Sequence, residues 1–189
     1  DGIKALRTAQ QELDPNETIK IINGCEFSAD YKDKSIHILG YCFDENNKEL
    51  NDFITFFKRK REERVDEMIR RCNIEGYHIT KEDLIKEFPD TKAYGRPHIG
   101  KLLIDGGYAK DVNEVFRGIL RKDSPCYVPK VKVDVQRIID IIHKAGGFAV
   151  MAHPKLVSSD EYVVEMLDFD FDGMEVYHSK HNDIDVERY

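Results

Sequence analysis

A block of helical periodicity, residues 49–125, interrupts a sequence that is otherwise α/β, and this switch of texture constrains the fold more than any other feature. Leu50, Phe53, Ile54 and Phe57, then Met68, Ile69 and Cys72, give the i, i+3, i+4 stripe of one long amphipathic helix. Thr80 with Asp83, and Asp111 with Glu114, resemble capping boxes that open two shorter helices. The block reads as an inserted helical sub-domain between residues 1–48 and 126–189.

The flanking segments carry strand signals. Ile3 to Leu13 has helical spacing and stops at Asp14-Pro15-Asn16. Thr18 to Ile22 is a short β-branched run, and Ser35 to Tyr41 is a second strand candidate beyond a polar turn at 30–34. In the last third, Asp134 caps a helix carrying Ile138, Ile139, Ile141 and Ile142, which closes at Ala145-Gly146-Gly147 with glycine at C′. Phe148 to Ala152 then reads as a buried strand, Glu161 to Leu167 as a helix, and Gly173 to His178 as a strand with a polar end. Helix, strand, helix, strand points to parallel pairing.

Composition bounds what such a chain can do. Its 189 residues suit one domain with an inserted sub-domain, and they fall short of the ~250 of a complete (β/α)₈ barrel. With 29 basic and 36 acidic side chains the net charge is −7, which argues against duplex nucleic acid as a stable partner. The basic run Lys58 to Arg64 fits a solvated helix face, because Lys58 with Glu62 and Arg59 with Glu63 fall at i, i+4. No apolar run reaches the ~18–20 residues of a membrane helix. Four cysteines without a C-x-x-C pair favour a reducing, cytoplasmic setting, and they read as small buried apolar side chains. The start lacks methionine and the end stops within a helix-like pattern, so a fragment cut at both ends is expected.

In parallel α/β folds, ligands bind just past the carboxyl ends of strands. Glu26 follows the run 18–22, His37 lies in the second strand candidate, His153 ends the third before Pro154, and His178 ends the fourth, with His181 three residues on. One carboxylate and several imidazoles suit a divalent transition metal such as manganese, zinc or iron. Each also has a plainer reading. His37 fits a core histidine bonded to a carbonyl, Glu26 a loop cap or lysine partner, and His178 and His181 solvated polar residues or residues lining the mouth. A second cluster, Tyr94 to Gly100, combines Arg96 and His98 with a proline at the start of a helix, which describes an anion site; a structural ion pair for Arg96 is the alternative. No P-loop, dinucleotide glycine motif or G-x-S-x-G elbow is present.

Taken in order, Asn23-Gly24-Cys25-Glu26-Phe27-Ser28, Ile36-His37-Ile38-Leu39-Gly40-Tyr41, Gly95-Arg96-Pro97-His98-Ile99, Tyr127-Val128-Pro129, Ala145-Gly146-Gly147 and Ala152-His153-Pro154 resemble the PHP (polymerase and histidinol phosphatase) family. The likeness is closest to its metal-dependent phosphoesterases acting on nucleotides or on short RNA from the 5′ end. The resemblance implies part of a distorted (β/α)₇ barrel with a helical insertion and a cluster of divalent ions, often manganese. It implies Glu26, His37 and His153 as metal ligands and Arg96 and His98 as contacts to the substrate phosphate. The implied reaction is phosphate-ester hydrolysis by a metal-bound hydroxide, with no residue of this chain singled out as catalytic. The family's His-x-His, Asp-His and Asp-x-His motifs are absent, so these 189 residues alone are expected to be inactive. A non-catalytic module that binds or senses a phosphorylated ligand is the alternative from a different class.

Overall fold

The computed structural model describes residues 8–14, 16 and 18–189. Residues 3–7 of the helix expected over Ile3 to Leu13 lie outside this set, as does Pro15. Two compact units emerge: one made of the described residues through Phe53 together with Lys132–Tyr189, the other of Ile54–Val131.

The first unit is built on a four-stranded sheet of order β1 (Gly24–Tyr31), β2 (Lys34–Tyr41), β3 (Phe148–Met151), β4 (Gly173–Met174). β1 and β2 form an antiparallel hairpin around Lys32-Asp33, β2 pairs antiparallel with β3, and β3 pairs parallel with β4. Phe27 and Ala29 of β1 and Ile36 and Ile38 of β2 are buried on one face. A helix at Val135–Lys144 packs against β1, β2 and β3, burying Val135, Ile138, Ile139, Ile141 and Ile142. Its ends follow the sequence expectation. Asp134 accepts the Gln136 N–H, and Gly146 takes φ +75, a conformation open to glycine at C′ without steric cost. At Gly147 an added Cβ would meet the Tyr41 carbonyl oxygen at 2.8 Å, so the chain enters β3 pressed against β2. A short helix at Asp160–Met166 and another at Asp183–Arg188 complete the unit.

Two strand expectations and one turn are corrected. Thr18 to Ile22 is not a strand; pairing begins at Gly24, and Ile19 and Ile22 are exposed. The hairpin sets the register, and only the later segment puts Phe27 and Ala29 opposite Ile38 and Ile36 on the helix-covered face. β propensity in 18–22 has no such partner among the described residues. The polar turn narrows from 30–34 to Lys32-Asp33, with Lys32 at φ 51. The strand expected over Gly173 to His178 is only two residues long, and the chain leaves the sheet at Glu175, whose N–H still donates to the Met151 carbonyl.

The second unit is helical. The long helix Lys48–Ile74 contributes its portion from Ile54 onward, followed by helices Lys81–Glu87, Arg96–Asp105 and Val112–Arg117. Val65, Met68, Ile69 and Cys72 pack with Leu84, Ile99, Leu103, Val115, Leu120 and Cys126. This is the stripe that the i, i+3, i+4 spacing marked. Thr80 and Asp83 form the reciprocal capping box. Asp111 accepts the Glu114 N–H, but the Glu114 carboxylate turns to the Lys110 N–H, so that second cap is not reciprocal. Burial pushes the thiols of Cys72 and Cys126 up, Cys72 to about 12, which suits inert packing groups. Among the described residues no helix is long and apolar enough to cross a membrane.

Candidate metal centre

Alternation along the hairpin sorts its side chains. With Phe27, Ala29, Ile36 and Ile38 turned to the helix, Glu26 and His37 fall on the opposite face, where His37 is paired with Ser28 and Glu26 with Leu39. The two are diagonal neighbours across the strands, within reach of long side chains. β3 adds the third member: the Ala152 N–H donates to the His37 carbonyl, and His153 follows at once. Glu26 therefore stands inside a strand, not past the end of one as its spacing suggested.

The three side chains converge on one point. Glu26 Oε1 lies 2.6 Å from His37 Nδ1 and 3.6 Å from His153 Nε2, and the two imidazole nitrogens are 3.2 Å apart. The His37 and His153 rings meet nearly edge to face, with centroids 5.1 Å apart. The His153 side chain is 18% exposed, and its Nδ1 is buried without a hydrogen-bond partner among the described residues. All three ligand atoms lie within 4.8 Å of one another, so the group is able to hold a metal ion. A carboxylate oxygen with two imidazole nitrogens is a donor set that fits borderline divalent cations, and three protein donors leave positions open for water or substrate.

His153 occupies an uncommon backbone conformation, φ 29 and ψ 64, where the chain turns from β3 into a 3₁₀ turn at Pro154–Val157. A residue that the sequence reading passed over holds it there. Glu175, just past β4, accepts the His153 backbone N–H on Oε2 at 2.8 Å. The only signal for it was a carboxylate inside the apolar run Gly173-Met174-Glu175-Val176, which read as strand. The 3₁₀ turn is anchored in turn by Lys155, which pairs with the buried Asp185. Lys155, and with it the backbone N–H of Asn182, holds the Asp185 carboxyl below the usual carboxylate range.

His178 and His181 extend the row of imidazoles. The His178 ring centroid lies 5.3 Å from that of His153 and 5.4 Å from that of His181. Both sit in the loop beyond the shortened β4. His178 Nδ1 accepts the Lys180 N–H, and His181 Nδ1 lies 2.7 Å from the Val176 carbonyl oxygen, to which it donates.

Arg96 and His98 belong to the helical unit. Gly95 is the N-cap, Arg96 the first helical residue and Pro97 the second, one place later than the sequence suggested. His98 Nδ1 accepts the Gly95 N–H at 3.1 Å, and its ring meets Phe88 edge-on. The Arg96 guanidinium lies over the Phe116 ring at 4.7 Å and near that of Tyr127 at 5.7 Å. Among the described residues no carboxylate pairs with it, so the structural ion pair weighed as its alternative is not formed.

No family model matches the chain. It is 28% identical over 158 residues to the 5′-3′ exoribonuclease Rnm of Salmonella typhimurium, covering 82% of this chain and 53% of that protein. It is 27% identical over 176 residues to the 3′,5′-nucleoside bisphosphate phosphatase of Chromobacterium violaceum, covering 90% of this chain and 62% of that protein. The chain thus spans between half and two thirds of the length of these relatives. Among solved structures, a Bifidobacterium adolescentis protein described as a metal-dependent phosphoesterase superposes with a TM-score of 0.73 at 24% identity, over 98% of this chain and 65% of that one. A Chromobacterium violaceum amidohydrolase with bound sulfate and no metal superposes with a TM-score of 0.69 at 28% identity, over 88% and 61%. The two curated relatives are named for action on RNA or on a nucleoside bisphosphate, and the two solved structures share the fold of this chain.

Proposed function

We propose that this chain is part of a metal-dependent phosphoesterase that hydrolyses phosphate esters of nucleotides or short oligonucleotides. The observation that carries the reading is the convergence of Glu26, His37 and His153 on one point of the sheet. The similar exoribonuclease and bisphosphate phosphatase supply the substrate class. In this reading the sheet belongs to a distorted (β/α)₇ barrel, residues 49–125 are its helical insertion, and the protein is cytoplasmic.

Glu26 Oε1, His37 Nδ1 and His153 Nε2 would hold the ion, with manganese the first choice and zinc or iron the others. Bound there, a divalent ion lowers the pKa of water and stabilises charge on phosphoryl oxygens. The chain's own residues do the positioning. Glu26 contributes the anionic donor that offsets ion charge, and the strand pairing of β1 with β2 fixes it against His37. Glu175 keeps His153 in the backbone conformation that aims Nε2 at the other two donors. Arg96 and His98 would meet substrate phosphate through the free guanidinium N–H groups and His98 Nε2, since Nδ1 is engaged by Gly95. His178 and His181 would line the approach to His153.

The test is turnover by the full-length protein that carries this chain, with Mn²⁺, against nucleoside monophosphates, 3′,5′-bisphosphates and short 5′-phosphorylated RNA. Phosphate or nucleotide release that disappears in His153→Ala is the expected result. Phosphate-dependent binding without turnover of any of them would replace this reading with a non-catalytic binding module.

A further inference from the structure

The charged run of the long helix does not behave as one solvated face. Arg59 and Lys60 pair with Glu63 at 3.5 and 2.7 Å, as residues three and four apart on a helix surface do. Arg64 departs from them. It is half-buried, and its Nε donates to the Val128 carbonyl at 2.7 Å. Arg71 makes a similar bond, from Nη1 to the Tyr127 carbonyl at 2.9 Å, but Glu67, which it shares with Arg70, accepts from its Nε at 2.7 Å. Two guanidinium groups therefore anchor Tyr127-Val128, one paired with a carboxylate and one, among the described residues, not.

Arg96 reaches the same segment from another helix, with its guanidinium 5.7 Å from the Tyr127 ring. Among the described residues neither Arg64 nor Arg96 has a carboxylate partner. Burial pushes the Arg64 guanidinium down from its ordinary value; Tyr127 opposes the shift, and the nearby charges of Arg96 and Arg61 add to it. Partly desolvated cations that repel each other need an anion to be at ease. With Nε committed to Val128, Arg64 keeps four N–H donors on its two Nη atoms, and Arg96 keeps its planar fork. Paired forks of this kind match the oxygens of a phosphate.

The geometry points to Arg64 as the second guanidinium of a phosphate-binding site, acting together with Arg96 beside Tyr127-Val128. The inference rests on the reading of Arg96 as a phosphate contact, and it gives that contact a partner from the run that the sequence assigned to solvent. Its ligand is a phosphate group, either a terminal monoester or an internal phosphodiester.

Titrating the whole chain with inorganic phosphate in EDTA, by calorimetry, tests the site without any metal. Saturable binding is expected for the unmodified chain. Arg64→Ala should weaken it at least about tenfold, the loss of one charge-assisted pair. Arg64→Lys should fall between the two, since it keeps the charge and loses the fork. Arg71→Ala removes a comparable carbonyl bond from a guanidinium already paired with Glu67, and should leave the affinity unchanged. If thermal melting followed by circular dichroism finds Arg64→Ala unfolded, Arg64→Gln takes its place, because it retains a donor and drops the charge. Equal losses in Arg64→Ala and Arg71→Ala overturn the inference in favour of a purely structural anchor. Loss in Arg96→Ala with none in Arg64→Ala overturns it and leaves the Arg96 reading standing; no binding by the unmodified chain overturns both. Comparing a 5′-phosphorylated trinucleotide with its unphosphorylated form then assigns the phosphate source, and a preference for either supports the site.

Discussion

The sheet unit and the helical unit gather opposite kinds of polar cluster. On the sheet, one carboxylate and two imidazoles meet with no lysine or arginine among the three donors, an arrangement that attracts a cation. In the helical unit, the guanidinium groups of Arg64, Arg71 and Arg96 gather around Tyr127-Val128, and among the described residues only that of Arg71 has a carboxylate partner, an arrangement that attracts an anion. A net charge of −7 anticipates neither. What the contrast teaches is that local pairing, not the global field, sets what each region can bind.

The largest effects should show the two units alike in their cores. Leu84→Ala in the helical unit and Ile142→Ala in the sheet unit each remove a fully buried side chain and should cost about 2–5 kcal/mol by urea denaturation. A negligible cost at either would mean that one unit is looser than its packing suggests. Next comes His153→Ala, expected to weaken Zn²⁺ or Mn²⁺ binding by more than about 100-fold, beyond the range of outer-sphere changes. Phosphate binding in EDTA should not change, and a parallel loss of both would break the distinction between the clusters. Glu175→Ala should lower metal affinity by about 10–100-fold, with Glu175→Gln largely restoring it because a carboxamide oxygen also accepts the His153 N–H. Equal affinities for Glu175→Ala and the unmodified chain would remove Glu175 from the support of His153.

The smallest expected effect depends on pH. Asp185 has a folded pKa below its unfolded one, because Lys155 and the Asn182 N–H favour the carboxylate. Its stabilisation is therefore present above the unfolded value and lost as pH falls through the folded one, below about pH 4. Asp185→Asn should flatten the acid limb of a melting-temperature profile in that window. An unchanged profile would mean that the Lys155 pair does not anchor the turn after His153.

Legibility in the sequence followed the range of the interactions. Helix caps such as Thr80 with Asp83, and the glycine stop at Gly146, depend on residues within one turn of each other, which makes them legible in the sequence. For the first strand, propensity favours Thr18 to Ile22, whereas pairing with β2 selects Gly24–Tyr31. Glu175 escaped notice because its partner is a backbone N–H 22 residues earlier, which no side-chain pattern records. Arg64 looks like its charged neighbours in the sequence, because i, i+4 spacing does not distinguish a side chain that pairs along its own helix from one that turns toward another segment.

By itself, then, the sequence determined the division between α/β and helical texture, the core faces of the long helix and of the helix at Val135–Lys144, and the residue types available for metal and phosphate chemistry. Those follow from periodicity and composition, which are local. Tertiary structure alone decided that Glu26 and His37 share a face, that His153 arrives beside them, and that Arg64 stands uncompensated near Arg96. The reason is that side-chain convergence is set by contacts between residues separated by 11 positions, as Glu26 and His37 are, up to the 116 between His37 and His153, which leave no trace in any local pattern.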